Sequence, residues 1–225
     1  MVRIGHRGVA ALAPENSLRS LALAAEVGLD IVEFDVLRAG NGGLVLAHDA
    51  RALARATPTL DDALELLRRL DVGLHLDLKI AGDEQRVVDA LRRHGVVGRT
   101  YVSSVSLRVL RAIRDVEPAL ARAISYPDDR LGISRRRGTS RLVDPAAQTL
   151  RRALPYRIAR WIAMTGASVA SVHWRVVSRR LVDRCHALGV AVYAWTVNDA
   201  AVARTLVETG LDGIITDDPR IFDGL

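Results

Sequence analysis

The chain has 225 residues, 49% of them apolar and 4% aromatic, with a formal net charge of +6. That length supports one well-buried core and leaves no room for two ordinary domains without a visible linker, so residues 1–225 read as a single domain. The composition argues against a disordered chain and an aromatic nucleic-acid platform, no run approaches the ~18 apolar residues of a membrane span, and a lone Cys185 rules out an internal disulfide or a cysteine metal cluster.

The first element, Val2–Gly5, is a short β-type run that leads into Gly5-His6-Arg7-Gly8. Because Met1 to His6 already reads as a strand entering a polar motif, no signal peptide is expected, and with the lone thiol the expected setting is cytoplasmic. In the motif, glycines let the backbone approach a ligand while an imidazole and a guanidinium leave one turn. That suits phosphate, although a surface turn with incidental charges has the same composition. After a helical stretch at Asn16–Val27, the second strand, Asp30–Val36, carries Glu33 and Asp35 two apart, so both carboxylates leave one face. Two acids on a buried face repel unless a cation lies between them, and hard cations such as Ca²⁺ and Mg²⁺ take oxygen ligands of this kind. The polar outer face of an edge strand is the plain alternative.

Asn41-Gly42-Gly43 marks a turn, after which Leu44–Ala47 reads as a short extra strand delivering His48-Asp49. A second imidazole at a strand end suits acid–base chemistry near neutrality, while His48 taken singly fits a solvated turn. Beyond the helix Thr59–Leu70, the strand Gly73–Lys79 alternates His75, Asp77 and Lys79 with leucines. In a barrel the leucines would face the helices, leaving Asp77 to complete a metal site and Lys79 to hold a phosphate oxygen near the top; a structural ion pair is the alternative. Lys79 is the only lysine among 32 basic residues, and arginine would serve a salt bridge well.

Strand and helix patterns then alternate through Asp83–His94, Thr100–Ser103, Leu107–Val116 and Leu120–Ile124. A break from Tyr126 to about Ser140 contains Arg135-Arg136-Arg137-Gly138 and reads as a mobile basic loop, followed by a helical stretch from Pro145 to Thr165. Ser168–His173, Ser178–Leu188, Val190–Trp195, Asp199–Glu208 and Gly213–Thr216 complete the series. Eight strand patterns alternating with helices, several ending in polar residues, predict a (β/α)₈ TIM barrel in preference to a doubly wound sheet. His94 and His186 lie on predicted helices and read as structural, and His75 as deeper in the barrel.

Gly5-His6-Arg7-Gly8, Ala13-Pro14-Glu15-Asn16-Ser17, Glu33-Phe34-Asp35-Val36, His48-Asp49, Asp77-Leu78-Lys79, Ala194-Trp195-Thr196-Val197-Asn198-Asp199 and Gly213-Ile214-Ile215-Thr216-Asp217 together resemble the glycerophosphodiester phosphodiesterase family, in family order. The resemblance implies hydrolysis of glycerophosphodiesters to glycerol phosphate and an alcohol with one divalent cation, Mg²⁺ or Ca²⁺. It implies His6 and His48 as the acid–base pair and Glu33 and Asp35 as metal ligands, with Asp77 where many members have Glu. Arg7 and Lys79 become phosphate contacts and Trp195 a wall of the site, while Glu15 either supports the first loop or is a helix-start carboxylate. His173-Trp174 either lines the pocket or packs under the basic loop.

The family usually inserts a small subdomain after His48, whereas here Asp49–Thr57 leads directly to Pro58-Thr59-Leu60, so a more open site is expected. With the basic loop and the Arg- and Trp-bearing stretch Tyr156–Met164, that openness allows lysophospholipase D-type cleavage of lysolipids through transient contact with a membrane surface. A catalytically silent phosphate-ligand binder is the reading from another class. Nucleic acid is not an expected partner, because the basic residues are dispersed and no series of aromatics accompanies them.

Overall fold

Residues 1–54, 57–128 and 140–225 are described by the computed structural model. In chain order the elements are β1 (Val2–Gly5), α1 (Leu18–Glu26), β2 (Ile31–Arg38), β3 (Leu44–Leu46), α2 (Leu60–Leu67), β4 (Gly73–Leu78), α3 (Glu84–Arg93), β5 (Thr100–Ser104), α4 (Leu107–Val116), β6 (Ala121–Tyr126), α5 (Ser140–Thr165), β7 (Val169–His173), α6 (Arg179–His186), β8 (Ala191–Trp195), α7 (Ala200–Val207) and β9 (Gly213–Thr216). Strand neighbours run β1-β9-β8-β7-β6-β5-β4-β2, all parallel, and β1 also pairs with β2. The sheet therefore closes on itself as a (β/α)₈ TIM barrel; a doubly wound sheet would leave two edges open.

Side-chain alternation along the strands separates two cores. On β4, Leu74, Leu76 and Leu78 point outward and pack with Leu64 and Leu67 of α2 and Val87, Val88 and Leu91 of α3. Each such leucine, fully buried, contributes roughly 1.5–3 kcal/mol. Inside the barrel, Ile4, Tyr101, Ala123, Val169, Tyr193 and Ile215 fill the lower part. The polar partners of the outward leucines thus lie in the barrel's interior, above that plug.

Helix starts follow local chemistry. The Thr59 hydroxyl accepts from Asp62 N while the Asp62 carboxylate accepts from Thr59 N, a reciprocal cap of about 1 kcal/mol. Ser17, Ser106, Ser178 and Asp199 cap α1, α4, α6 and α7 in the simpler one-sided way.

The predicted extra strand is β3, antiparallel to β2 with Leu46 opposite Val36 and Leu44 opposite Arg38. Between β3 and α2 the described residues hold one 3₁₀ turn, Ala52–Ala54, and no further strand or α-helix. The long helix starts at Ser140, before the expected Pro145, and contains Pro145 and Pro155. Proline reads as a helix start because it fits a first turn, which concealed the residues preceding it. The expected basic loop at Arg135–Arg137 lies outside the described residues. Among the described residues, no helix is long and apolar enough to cross a membrane.

Candidate active site

The first loop is shaped by two glycines and a buried serine. A Cβ on Gly5 would lie 2.2 Å from the Gly8 carbonyl oxygen, and one on Gly8, at φ +85°, would lie 2.2 Å from Ser20 Oγ. Ser20 Oγ donates to the Arg7 carbonyl at 3.0 Å and accepts from Val9 N at 2.8 Å, stitching the loop to α1. Arg7 N donates to Glu33 Oε2 at 2.7 Å, tying the same loop to β2. Its guanidinium is buried: Nη1 donates to Glu15 Oε2 at 2.6 Å, Nη2 donates to His48 Nδ1 at 2.9 Å, and Nε lies 3.0 Å from Asp35 Oδ2. Arg7 therefore joins the ends of β1, β2 and β3 in one contact set, and Glu15 supports that loop.

Three carboxylates share the adjoining space. One oxygen from each of Glu33, Asp35 and Asp77 falls within 4.8 Å of the others. Lys79 Nζ lies 2.8 Å from Asp35 Oδ1 and also pairs with Asp77. Asn16 brackets Asp35, its Nδ2 donating to Oδ2 and its Oδ1 accepting from Asp35 N, both at 3.0 Å.

Burial, followed by the charges of Asp35 and Asp77, pushes the Glu33 carboxyl well above its usual range. Burial acts the same way on Asp35, but Lys79, His48 and Arg7 outweigh it and hold that carboxyl well below the ordinary value. Burial opposes the Lys79 charge too, and Asp35, Asp77 and Glu33 more than restore it. Glu33 is thus an ionisable acid short of positive charge. Asp35 Oδ1 is buried, and its one close polar neighbour among the described residues is the Lys79 ammonium at 2.8 Å. An all-oxygen, triply acidic donor set of this kind fits a hard divalent cation, Mg²⁺ or Ca²⁺.

The two candidate acid–base histidines are held differently. His6 Nδ1 lies 2.6 Å from Asp217 Oδ1, and because a carboxylate only accepts, Nδ1 carries the proton. Asp217 is itself fixed by Asn198, whose Nδ2 donates to Oδ2 at 2.5 Å and whose Oδ1 accepts from Asp217 N at 2.9 Å. Burial lowers the His6 pKa, with the Asp217 bond opposing in part. His48 meets Arg7 through Nδ1, and that nitrogen is also 3.3 Å from Asp35 Oδ2. His75 sits deeper and buried, and desolvation drives its pKa down to about 3. His94 and His186 pair with Asp61 at 3.0 Å and Asp212 at 2.9 Å, away from these contacts.

A cavity of about 600 Å³ opens beside this cluster, lined among others by His6, Arg7, Trp195, His173, Trp174 and Arg175. Trp195 Nε1 donates to the Ser171 carbonyl at 3.0 Å, and the His173 ring stands perpendicular to the indole at 5.2 Å. Arg175 covers the Trp174 ring at 4.5 Å. The structure accordingly brings His6, Arg7, Trp195, Glu33, Asp35, His48, Asp77 and Lys79 to one end of the barrel. Asn16, Ser103, Asn198 and Asp217 belong to the same cluster, and none of them is among the site residues expected from sequence; the signal available was a polar residue at or just after a strand end, as at Asp217.

The sequence matches the family model for the glycerophosphoryl diester phosphodiesterase family over residues 6–84 and 77–221. It is similar to the glycerophosphodiester phosphodiesterase of Caldanaerobacter subterraneus subsp. tengcongensis, 26% identical over 259 residues that cover 99% of this chain and 96% of that one. A probable glycerophosphodiester phosphodiesterase 2 of Mycobacterium tuberculosis is 27% identical over 96% of this chain and 87% of its own. In fold the chain is similar to an Oleispira antarctica phosphodiesterase in complex with the product sn-glycerol-3-phosphate, with a TM-score of 0.78, 24% identity and coverage of 99% and 95% of the two chains.

Proposed function

The chain belongs to the glycerophosphoryl diester phosphodiesterase family, and from that premise we propose that it hydrolyses glycerophosphodiesters to glycerol phosphate and an alcohol. The observation that carries this most is the Arg7 hub, which contacts His48, Asp35 and Glu15 at once beside the cavity that His6 lines.

His6 is the general base. Its Nδ1 proton is held by Asp217, leaving the Nε2 lone pair to take a proton from the attacking oxygen, either water or a neighbouring substrate hydroxyl. His48 is the general acid. Its Nδ1 sits 2.9 Å from Arg7 Nη2 and 3.3 Å from Asp35 Oδ2, and from the imidazolium form its Nε2 proton passes to the departing alkoxide, leaving neutral imidazole. Arg7 and Lys79 contact the phosphoryl oxygens, and Trp195 walls the substrate. Glu33, Asp35 and Asp77 would hold one Mg²⁺ or Ca²⁺, which when bound supplies charge stabilisation at the phosphoryl group. We place the reaction in the cytoplasm, in keeping with a single, buried Cys185, and treat residues 1–225 as the one domain that performs it.

Release of glycerol phosphate from glycerophosphocholine and glycerophosphoethanolamine, with Mg²⁺, Ca²⁺ or chelator, tests the reading. Turnover is expected to require the cation, and His6→Ala or His48→Ala to lower kcat by about 10²–10⁴-fold. Release that survives both chelator and His6→Ala overturns it. Faster cleavage of lysophosphatidylcholine would shift the substrate to lysolipids while keeping the chemistry.

A further inference from the structure

Beneath the carboxylates lies a polar chain that the proposed reaction does not use. In the β4–β5 register, His75 is opposite Tyr101 and Asp77 is opposite Ser103. Ser103 Oγ donates directly across its pair to Asp77 Oδ1 at 2.7 Å, and His75 Nε2 reaches diagonally to lie 2.7 Å from the same Oγ. A hydroxyl has one hydrogen, and that of Ser103 is committed to the carboxylate. His75 must therefore donate through Nε2–H, so the chain has a direction, His75 to Ser103 to Asp77. The buried His75 Nδ1, left without a proton, is an acceptor with no hydrogen-bond partner among the described residues. The imidazole plane is set by stacking on Tyr101, with centroids 4.2 Å apart and planes 22° apart.

From this geometry we infer that His75 and Ser103 are positioning residues that fix the Asp77 carboxylate for a divalent cation. An aspartate has two side-chain torsions, and either oxygen can turn toward a cation. Ser103 holds Oδ1, and the stacked imidazole holds Ser103. The oxygen bonded to Ser103 also gains a donor, which keeps the carboxylate from following Lys79 alone. The inference rests on the proposed cation site and adds two residues to it.

Cation affinity, read from the rise in Tm with Mg²⁺ or Ca²⁺ concentration, tests this without measuring turnover. Ser103→Ala and His75→Leu are expected to weaken affinity about 10- to 100-fold, while His75→Gln, which keeps an N–H toward Ser103, stays near the parent. In an Asp77→Ala background Ser103→Ala should add no further loss. If His75→Leu does not fold, Ser103→Ala decides the matter. Parent-like affinity in Ser103→Ala overturns the positioning role while leaving the cation site standing. A parent protein whose Tm ignores both cations overturns both, and the two failures are told apart by the parent alone.

Discussion

A glutamate at position 33, 3% exposed beside Asp35 and Asp77, resists ionisation. Its folded-state pKa is raised by burial and by those two charges, so its contribution favours folding below the unfolded pKa and is lost as pH rises through the folded value. At pH 7 without cation, Glu33→Gln should melt above the parent, and it should lose the rise in Tm that Mg²⁺ or Ca²⁺ gives. Thermal unfolding with and without chelator checks both halves. Asp217→Asn addresses the base instead. An amide can either donate to or accept from the imidazole, so the Nδ1 proton is no longer enforced, and kcat should fall by about 10²–10⁴-fold with the fold intact. In the parent, burial lowers the His6 pKa, which puts the acid limb of the kcat/KM profile below the ordinary imidazole value of 6.5. A profile whose acid limb lies at or above that value would remove His6 as the base.

At the scale of elements, the β1–α1 loop is the least tolerant joint. Gly8→Ala combines a backbone at φ +85° with a Cβ driven into Ser20. The first costs about 1–2 kcal/mol and the overpacking about 1–3 kcal/mol more, a loss that urea unfolding would register, with His6 and Arg7 displaced as well. Much of this architecture is legible in the sequence because period-two alternation is local. Leu74, Leu76 and Leu78 against His75, Asp77 and Lys79 tell inside from outside within a single strand. The β3 hairpin and its delivery of His48 are legible for the same reason, through Asn41-Gly42-Gly43. What spacing does not carry is pairing across the barrel. Ser103 sits in an unremarkable Val-Ser-Ser run, and its link to Asp77 depends on the β4–β5 register. Asp217 depends on a strand at the far end of the chain. The start of α5 is illegible for a different reason: Pro145 imitates a helix start inside a helix.

At the scale of the molecule, the cation is expected to act as a ligand of the folded state only. At about a hundredfold over its dissociation constant it should raise Tm by about 5–10 °C for a chain of this size. Scanning calorimetry across a cation series checks that, and a concentration-independent Tm would contradict it. Barrel closure carries a further consequence. The β1–β9 pairing that seals the sheet also brings His6 to Asp217, a bond between residues 211 positions apart. Contacts of such sequence separation form late, because the intervening chain must be ordered before they are favourable. With His6 as the proposed base, a half-folded chain that has assembled Arg7, Glu33 and Asp35 from its first strands would still lack the Asp217 contact that orients it, and competence to cleave is expected to arrive only when the last strand docks.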